Sequence, residues 1–203
     1  MILDLPYNFH WVEPREAARS AQAYAGFLRP FLQAHGIRGV INLRGSNPGH
    51  LWWRYETRIC ARAGIVHCDV KLNSRQLPAQ ATLVSLIDAF DAMPRPFLLK
   101  CSGGQDRTSL AAALYLLHRN GWQELAKAEM QFARWPYLHL PHKNQRWLRL
   151  FPQFANEQAC QTSLRDWLAT TYSARSFRDW LERGGEGASF RGLYGVPGSA
   201  PKR

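Results

Sequence analysis

The 203-residue sequence has no apolar run of membrane-spanning length, which excludes a helical membrane span. Its opening residues, Met1-Ile2-Leu3-Asp4-Leu5-Pro6, have neither a basic start nor a long apolar core, so no signal peptide is expected. Cysteine is scarce. Cys60, Cys68, Cys101 and Cys160 form no C-x-x-C pair, and a chain of this length buries a core without a disulfide framework. The expectation is free thiols in a reducing cytoplasm, with no metal and no cofactor. Acidic residues are few as well: 15 Asp and Glu against 26 Lys and Arg give a formal charge of +11. Such a balance favours anionic partners (phosphorylated proteins, other phosphate-bearing molecules, an anionic lipid surface, RNA) or serves solubility alone. No run of five basic residues occurs, and nothing resembles a sequence-reading nucleic-acid module, so sequence-specific nucleic-acid binding is not expected. Internal repeats are absent.

What is present centres on residues 98–109, Leu-Leu-Lys-Cys-Ser-Gly-Gly-Gln-Asp-Arg-Thr-Ser. Phe97, Leu98 and Leu99 read as the end of a buried strand, and the Ala/Leu-rich stretch 110–117 as a buried helix. A glycine-containing loop feeding a helix N-terminus turns several backbone N–H groups toward one point, which suits a phosphate. Arg107 adds a planar fork of donors for two phosphate oxygens. The same field favours a thiolate at Cys101, and a thiolate beneath a phosphate is an in-line nucleophile.

Cys101-Ser-Gly-Gly104-Gln-Asp-Arg107-Thr108 resembles the C-x-x-G-x-x-R-[ST] loop of the protein tyrosine phosphatase superfamily, most closely its bacterial dual-specificity-type members. The resemblance implies Cys101 as nucleophile, Arg107 as phosphate clamp, and Thr108 as a hydroxyl that stabilises the departing cysteine. Ser102, Gly103, Gly104 and Gln105 would bind phosphate through the loop. The usual histidine before the nucleophile is replaced by Lys100, whose side chain leaves the strand on the face opposite to its neighbours'. The region where the resemblance puts the general-acid loop, Leu72 to Pro78, contains no Asp or Glu. Two candidates for the acid remain, Asp69 upstream and Asp106 within the signature loop, and Asp106 is preferred. A carboxyl beside a bound phosphate is favoured in its protonated form by like-charge repulsion. Arg75 is the best candidate for a further substrate contact.

Around this centre, residues 7–12 read as an edge strand stopped by Pro14, and 23–35 as a helix kinked or divided at Pro30. Arg19-Ser-Ala-Gln22 resembles a segment near the start of many small cysteine phosphatases. Residues 36–45 and 64–70 read as strands, 51–63 and 79–92 as helices. Arg44 pairs with a structural carboxylate, the preferred reading, or lines the cleft. Trp122 to Arg134, 144–159, 162–172 and a short turn from Ser176 read as helical, with Trp147, Phe151, Phe154, Trp167, Tyr172 and Trp180 as packing anchors. His139 and His142 have H-x-x-H spacing and are read as ordinary loop histidines. The expected fold is a three-layer α/β phosphatase-like fold, its central, mostly parallel sheet flanked by helices, with a helical C-terminal extension. Residues 1–135 form the catalytic domain, 136–183 a helical extension packed on it, and 184–203 a loosely ordered basic tail. The expected activity is hydrolysis of phosphotyrosine or dual-specificity phosphoprotein esters through a phosphocysteine. The alternatives are a phosphoinositide or other small-molecule phosphatase, an RNA 5′-phosphatase, and a phosphate-binding module without turnover.

Overall fold

A computed structural model describes residues 4–24, 26–184 and 194–197. Five short strands form one sheet in the order β1-β2-β5-β3-β4: β1 His10–Glu13, β2 Ala17–Ser20, β3 Gly39–Asn42, β4 Val66–Asp69 and β5 Phe97–Lys100. Only the edge pair β1–β2 is antiparallel; β2, β5, β3 and β4 run parallel. The central strand is β5, and alternation sends its side chains to two layers. Phe97 and Leu99 pack with α3 (Gln80–Ala92) and α4 (Asp106–Asn120), whereas Leu98 packs with Val40 and the residues of α1 (Leu28–Ala34) on the other face. α2 (Leu51–Arg62) joins that second layer through Cys60. The three-layer α/β architecture follows from these two apolar faces.

The registers pair Ser20 and Asn42 with Lys100, and Asn42 with Asp69, so the parallel strands end level. The loops that follow them therefore gather at one edge, where ligands of open α/β sheets bind.

Pro30 lies in the first turn of α1, where a missing N–H costs nothing, so no kink results. β2 has no apolar alternation to reveal it; Ala-Ala-Arg-Ser is a strand because it is buried between β1 and β5. The helix expected over 122–134 is shorter, a 3-10 turn followed by α5 (Leu125–Met130). α6 (Phe151–Gln158), α7 (Leu164–Thr170) and α8 (Ala174–Arg183) follow. Their aromatics Phe151, Phe154, Trp167, Tyr172 and Phe177, with Trp147 before them, are buried in the same core as Leu110 to Leu117 of α4. Trp180 packs against that core from a half-buried position. Within the stretch expected to be loosely ordered, residues 194–197 return to the loop before α3. Leu77 N–H donates to Gly195 O at 2.8 Å, and Gly195 N–H to Arg75 O at 3.1 Å. The rest of 185–203 lies outside the described residues. No helix of the described residues is long and apolar enough to cross a membrane.

Candidate active site

Cys101 follows the last residue of β5 and is 3 % exposed. From Ser102 to Thr108 no backbone N–H donates to an acceptor among the described residues. These are the loop amides and the first orphan donors of α4. The loop is folded by what lies beneath it. Gly104 has φ +64°, and a Cβ there would sit 2.6 Å from both Ala21 N and Ser20 C, so only glycine lets the loop lie on the end of β2. Its carbonyl turns inward and accepts from Arg19 (3.0 Å) and from Asn8 Nδ2 (3.2 Å). Arg19 is fully buried. Its guanidinium also donates to Ser109 Oγ at 2.8 Å and to the backbone and side-chain oxygens of Gln131, both at 2.9 Å, and lies 4.2 Å over the Tyr137 ring. Burial pushes it down to about 10, with Tyr137 and Cys101 acting in the opposite sense, so it stays a cation at neutral pH. Of the other cysteines, burial pushes Cys60 up to about 12 and raises Cys68, which leaves both as inert thiols.

Lys100 turns away from the loop, as strand alternation requires. Its Nζ lies 2.6 Å from Glu56 Oε1 and donates to Gln22 Oε1 at 2.8 Å. Glu56 also pairs with His67 Nε2 (2.9 Å) and accepts from Gln22 Nε2 (2.5 Å). Gln22 in turn takes a long bond from Arg44 (3.4 Å), while its backbone N–H donates to Ser102 O at 3.1 Å. This buried cluster joins α2 and the ends of β2 and β5 to the signature loop. Burial alone would raise the Glu56 carboxyl, but its bonds to His67, Lys100 and Gln22 and the Lys100 charge outweigh that and hold it below the ordinary glutamate value. Burial pushes the Lys100 ammonium down, with Glu56 opposing.

Removing one partner strands the other charge in the core. Glu56→Ala is expected to cost about 3–5 kcal/mol in urea unfolding, and adding Lys100→Met to recover most of it. A cost below about 1 kcal/mol would contradict the ion-pair account. The depressed Glu56 carboxyl contributes stability above the ordinary glutamate value, and that contribution is lost as pH falls through the lower folded value. Glu56→Gln should lack that acid-side loss.

A cavity of about 460 Å³ opens over the loop. Ser102, Gln105, Asp106 and Arg107 line it from the signature loop, and Arg107 reaches back to donate to Ser102 Oγ at 3.1 Å. Arg44, Lys71 and Arg75 face it from the loops after β3 and β4. Arg44 is stacked 3.5 Å over Trp52, and of its two sequence alternatives the structure selects the cleft. Asp106 is the one carboxylate among the lining residues. Asp69 is not among them. Its Oδ1 accepts from Asn42 Nδ2 at 2.6 Å and its Oδ2 from Trp53 Nε1 at 2.9 Å, so both oxygens are engaged at the end of β4. Gly103 is exposed outside the cavity lining, and Gly104 lies beneath the loop. Thr108 Oγ1 is buried without a hydrogen-bond partner, a donor held at the start of α4 below the loop.

Gln145, which drew no attention in the sequence, completes the cavity from beyond residue 135. Its Nε2 donates to Asp106 Oδ2 at 3.1 Å and to Ser74 Oγ at 2.8 Å. No group of three or more metal-ligating side chains occurs among the described residues.

No family model and no curated protein matches the sequence. Solved structures do match. TpbA of P. aeruginosa superposes with a TM-score of 0.58 at 19 % identity, covering 83 % of this chain and 94 % of that one. Tk-PTP in its active form gives 0.54 at 14 %, covering 72 % and 97 %. The core catalytic domain of the PP-IP phosphatase SIW14 from S. cerevisiae gives 0.53 at 16 %, covering 70 % and 84 %. With a cysteine at the end of the central strand and an arginine-bearing loop opening the following helix, the fold of this chain is that of the protein tyrosine and dual-specificity phosphatase superfamily.

Proposed function

We propose that this chain hydrolyses phosphate monoesters through a phosphocysteine. The observation that carries the reading is the run of unengaged backbone N–H groups from Ser102 to Thr108, with Arg107 lining the cavity beside it and the buried Cys101 directly before it at the end of β5. Loop amides and the Arg107 fork hold the equatorial phosphoryl oxygens and stabilise the charge that grows on them in the transition state. Cys101 Sγ attacks phosphorus as the bond to the leaving oxygen breaks, and Asp106 gives that oxygen its proton. Water then attacks phosphorus while Asp106 takes a proton from it, and the S–P bond breaks with its electron pair returning to Cys101, which Thr108 steadies. Asp106 is preferred to Asp69 because it is the carboxylate that lines the cavity, whereas Asp69 lies outside the lining, at the end of β4. The reaction belongs to residues 1–135, with 136–183 completing the site through Gln145. The four cysteines are free, as a reducing cytoplasm would keep them.

Turnover of p-nitrophenyl phosphate tests the reading against its rival, a module that only captures phosphate; no turnover would establish the binder. Among substrates, phosphotyrosine peptides are the first expectation. A second class is favoured by one observation: Arg44, Lys71 and Arg75 add three cations to the cavity beyond the clamp. A single phosphate leaves them uncompensated, and a phosphoinositide or another multiply phosphorylated small molecule would not. Among the similar structures, one is TpbA with phosphotyrosine and another PTPMT1 with PI(5)P. The double variant Lys71→Ala, Arg75→Ala is expected to raise KM for such a substrate about tenfold and to leave p-nitrophenyl phosphate within about twofold, since rim charges act on binding. Equal effects on both would remove the second phosphate from the reading. 5′-Phosphorylated RNA completes the panel.

A further inference from the structure

The sequence offered His139 as an ordinary loop histidine, but it is 4 % exposed, with its ring edge-on to Phe132 at 5.4 Å. Its Nδ1 lies 3.1 Å from Phe132 O. A carbonyl only accepts, so Nδ1 carries a proton, and Nε2 of the neutral ring presents a lone pair. That lone pair lies 3.3 Å from Asp106 Oδ1. Both atoms are buried and neither has a hydrogen-bond partner. Two acceptors held this close in a dry setting repel unless a proton lies between them, and catalytic bonds of this kind tighten when substrate closes the site. The other Asp106 oxygen is bound by Gln145, whose Oε1 is itself fixed by His142 N–H at 3.0 Å and whose two amide protons go to Ser74 and Asp106. Residues 139–145 therefore grip both oxygens of the carboxyl.

We propose that His139 is the positioning residue of the general acid: one proton is held between Asp106 Oδ1 and His139 Nε2, and this keeps the Asp106 carboxyl supplied with the proton it delivers. The proposal rests on the reading of Asp106 as the acid. In the first displacement the Asp106 carboxyl turns its protonated oxygen from His139 toward the cavity, and the proton passes to the departing oxygen as the P–O bond breaks. The carboxylate then faces the Nε2 lone pair, which favours its taking a proton from the water that attacks the phosphocysteine. The pair is thereby restored. His139 touches neither phosphate nor leaving group in this scheme and acts only through Asp106.

His139→Asn retains a short amide to donate to Phe132 O and places nothing near Asp106 Oδ1. Its kcat on phenyl phosphate is expected to fall about 50-fold, while its kcat on p-nitrophenyl phosphate stays within about threefold, because only a poor leaving group needs the proton. KM should not change. In an Asp106→Asn background the same substitution should add no further loss on phenyl phosphate. Equal losses on the two esters, or fully additive losses, would make His139 a packing residue and overturn the proposal. If Asp106→Asn is itself indifferent to the leaving group, the acid assignment falls and the pair with it. If Asp106→Asn is sensitive and His139→Asn is not, the pair alone falls. Imidazole ¹⁵N NMR of the wild-type protein needs no altered chain. It should show Nδ1 protonated and an Nε2 signal that moves on Asp106→Asn; an Nε2 signal unmoved by that change would contradict the pair.

Discussion

Cys101→Ser is expected to remove turnover of p-nitrophenyl phosphate by about 10⁴-fold or more while leaving the affinity for inorganic phosphate within a few-fold. The two halves of this result come from different atoms. In the proposed mechanism binding falls to the amides from Ser102 to Thr108 and to Arg107, none of which the substitution changes, and attack falls to sulfur. Serine is nearly isosteric, but its hydroxyl ionises far less readily than a thiol, and an alkoxide is a poor group to expel from a phosphoryl intermediate. Cys60 and Cys68 cannot substitute, since burial holds both thiols in the protonated form. Isothermal titration with phosphate together with a turnover assay separates the halves. Loss of phosphate binding in a folded Cys101→Ser chain would show that the loop depends on the thiol for its shape.

Arg107→Lys is expected to lower kcat/KM about 10³-fold, nearly all of it in kcat. Removing one preorganised donor at a developing oxyanion costs roughly 10²–10³. Arg107 supplies a planar pair of donors, and lysine keeps the charge without the fork. The side chain is also aligned by its bond to Ser102 Oγ at 3.1 Å. The split matters. A loss confined to KM would mean that Arg107 binds ground state and transition state alike, and would demote it from clamp to rim charge.

The central stretch was legible because three signals coincide there: an apolar strand end, a glycine-bearing loop and an Ala/Leu helix, each with its own local chemistry. β3, α2, β4 and α3 were legible for the same reason, as was the buried aromatic set of the extension. β2 was not, since its four residues include a fully buried arginine that owes its place to Gly104, Ser109 and Gln131 far along the chain. Arg19 was singled out only within the Arg19-Ser-Ala-Gln22 resemblance; its partners come from the finished loop. Lys100 and Glu56 were likewise invisible as a pair, lying on different elements that meet only in the fold. The weakest point of the sequence reading was the acid. No acidic residue stands on the expected loop, and Asp106 is preferred to Asp69 from its place in the signature loop alone. Tertiary contacts divide them: Asn42 and Trp53 engage Asp69, while Gln145 and His139 meet Asp106 at the cavity. The one signal that could have pointed to residues 139–145 was His139-Leu-Pro-His142, which resembles a metal pattern and instead supports a carboxyl.

The most direct measurement is to quench turnover of p-nitrophenyl phosphate in acid within milliseconds and map the phosphorylated peptide by mass spectrometry. A phosphoryl group on Cys101, accumulating when Asp106→Asn slows the second displacement and missing from Cys101→Ser, is the predicted result. Turnover at full rate with no phosphocysteine, or with phosphate on any other residue, would contradict the account.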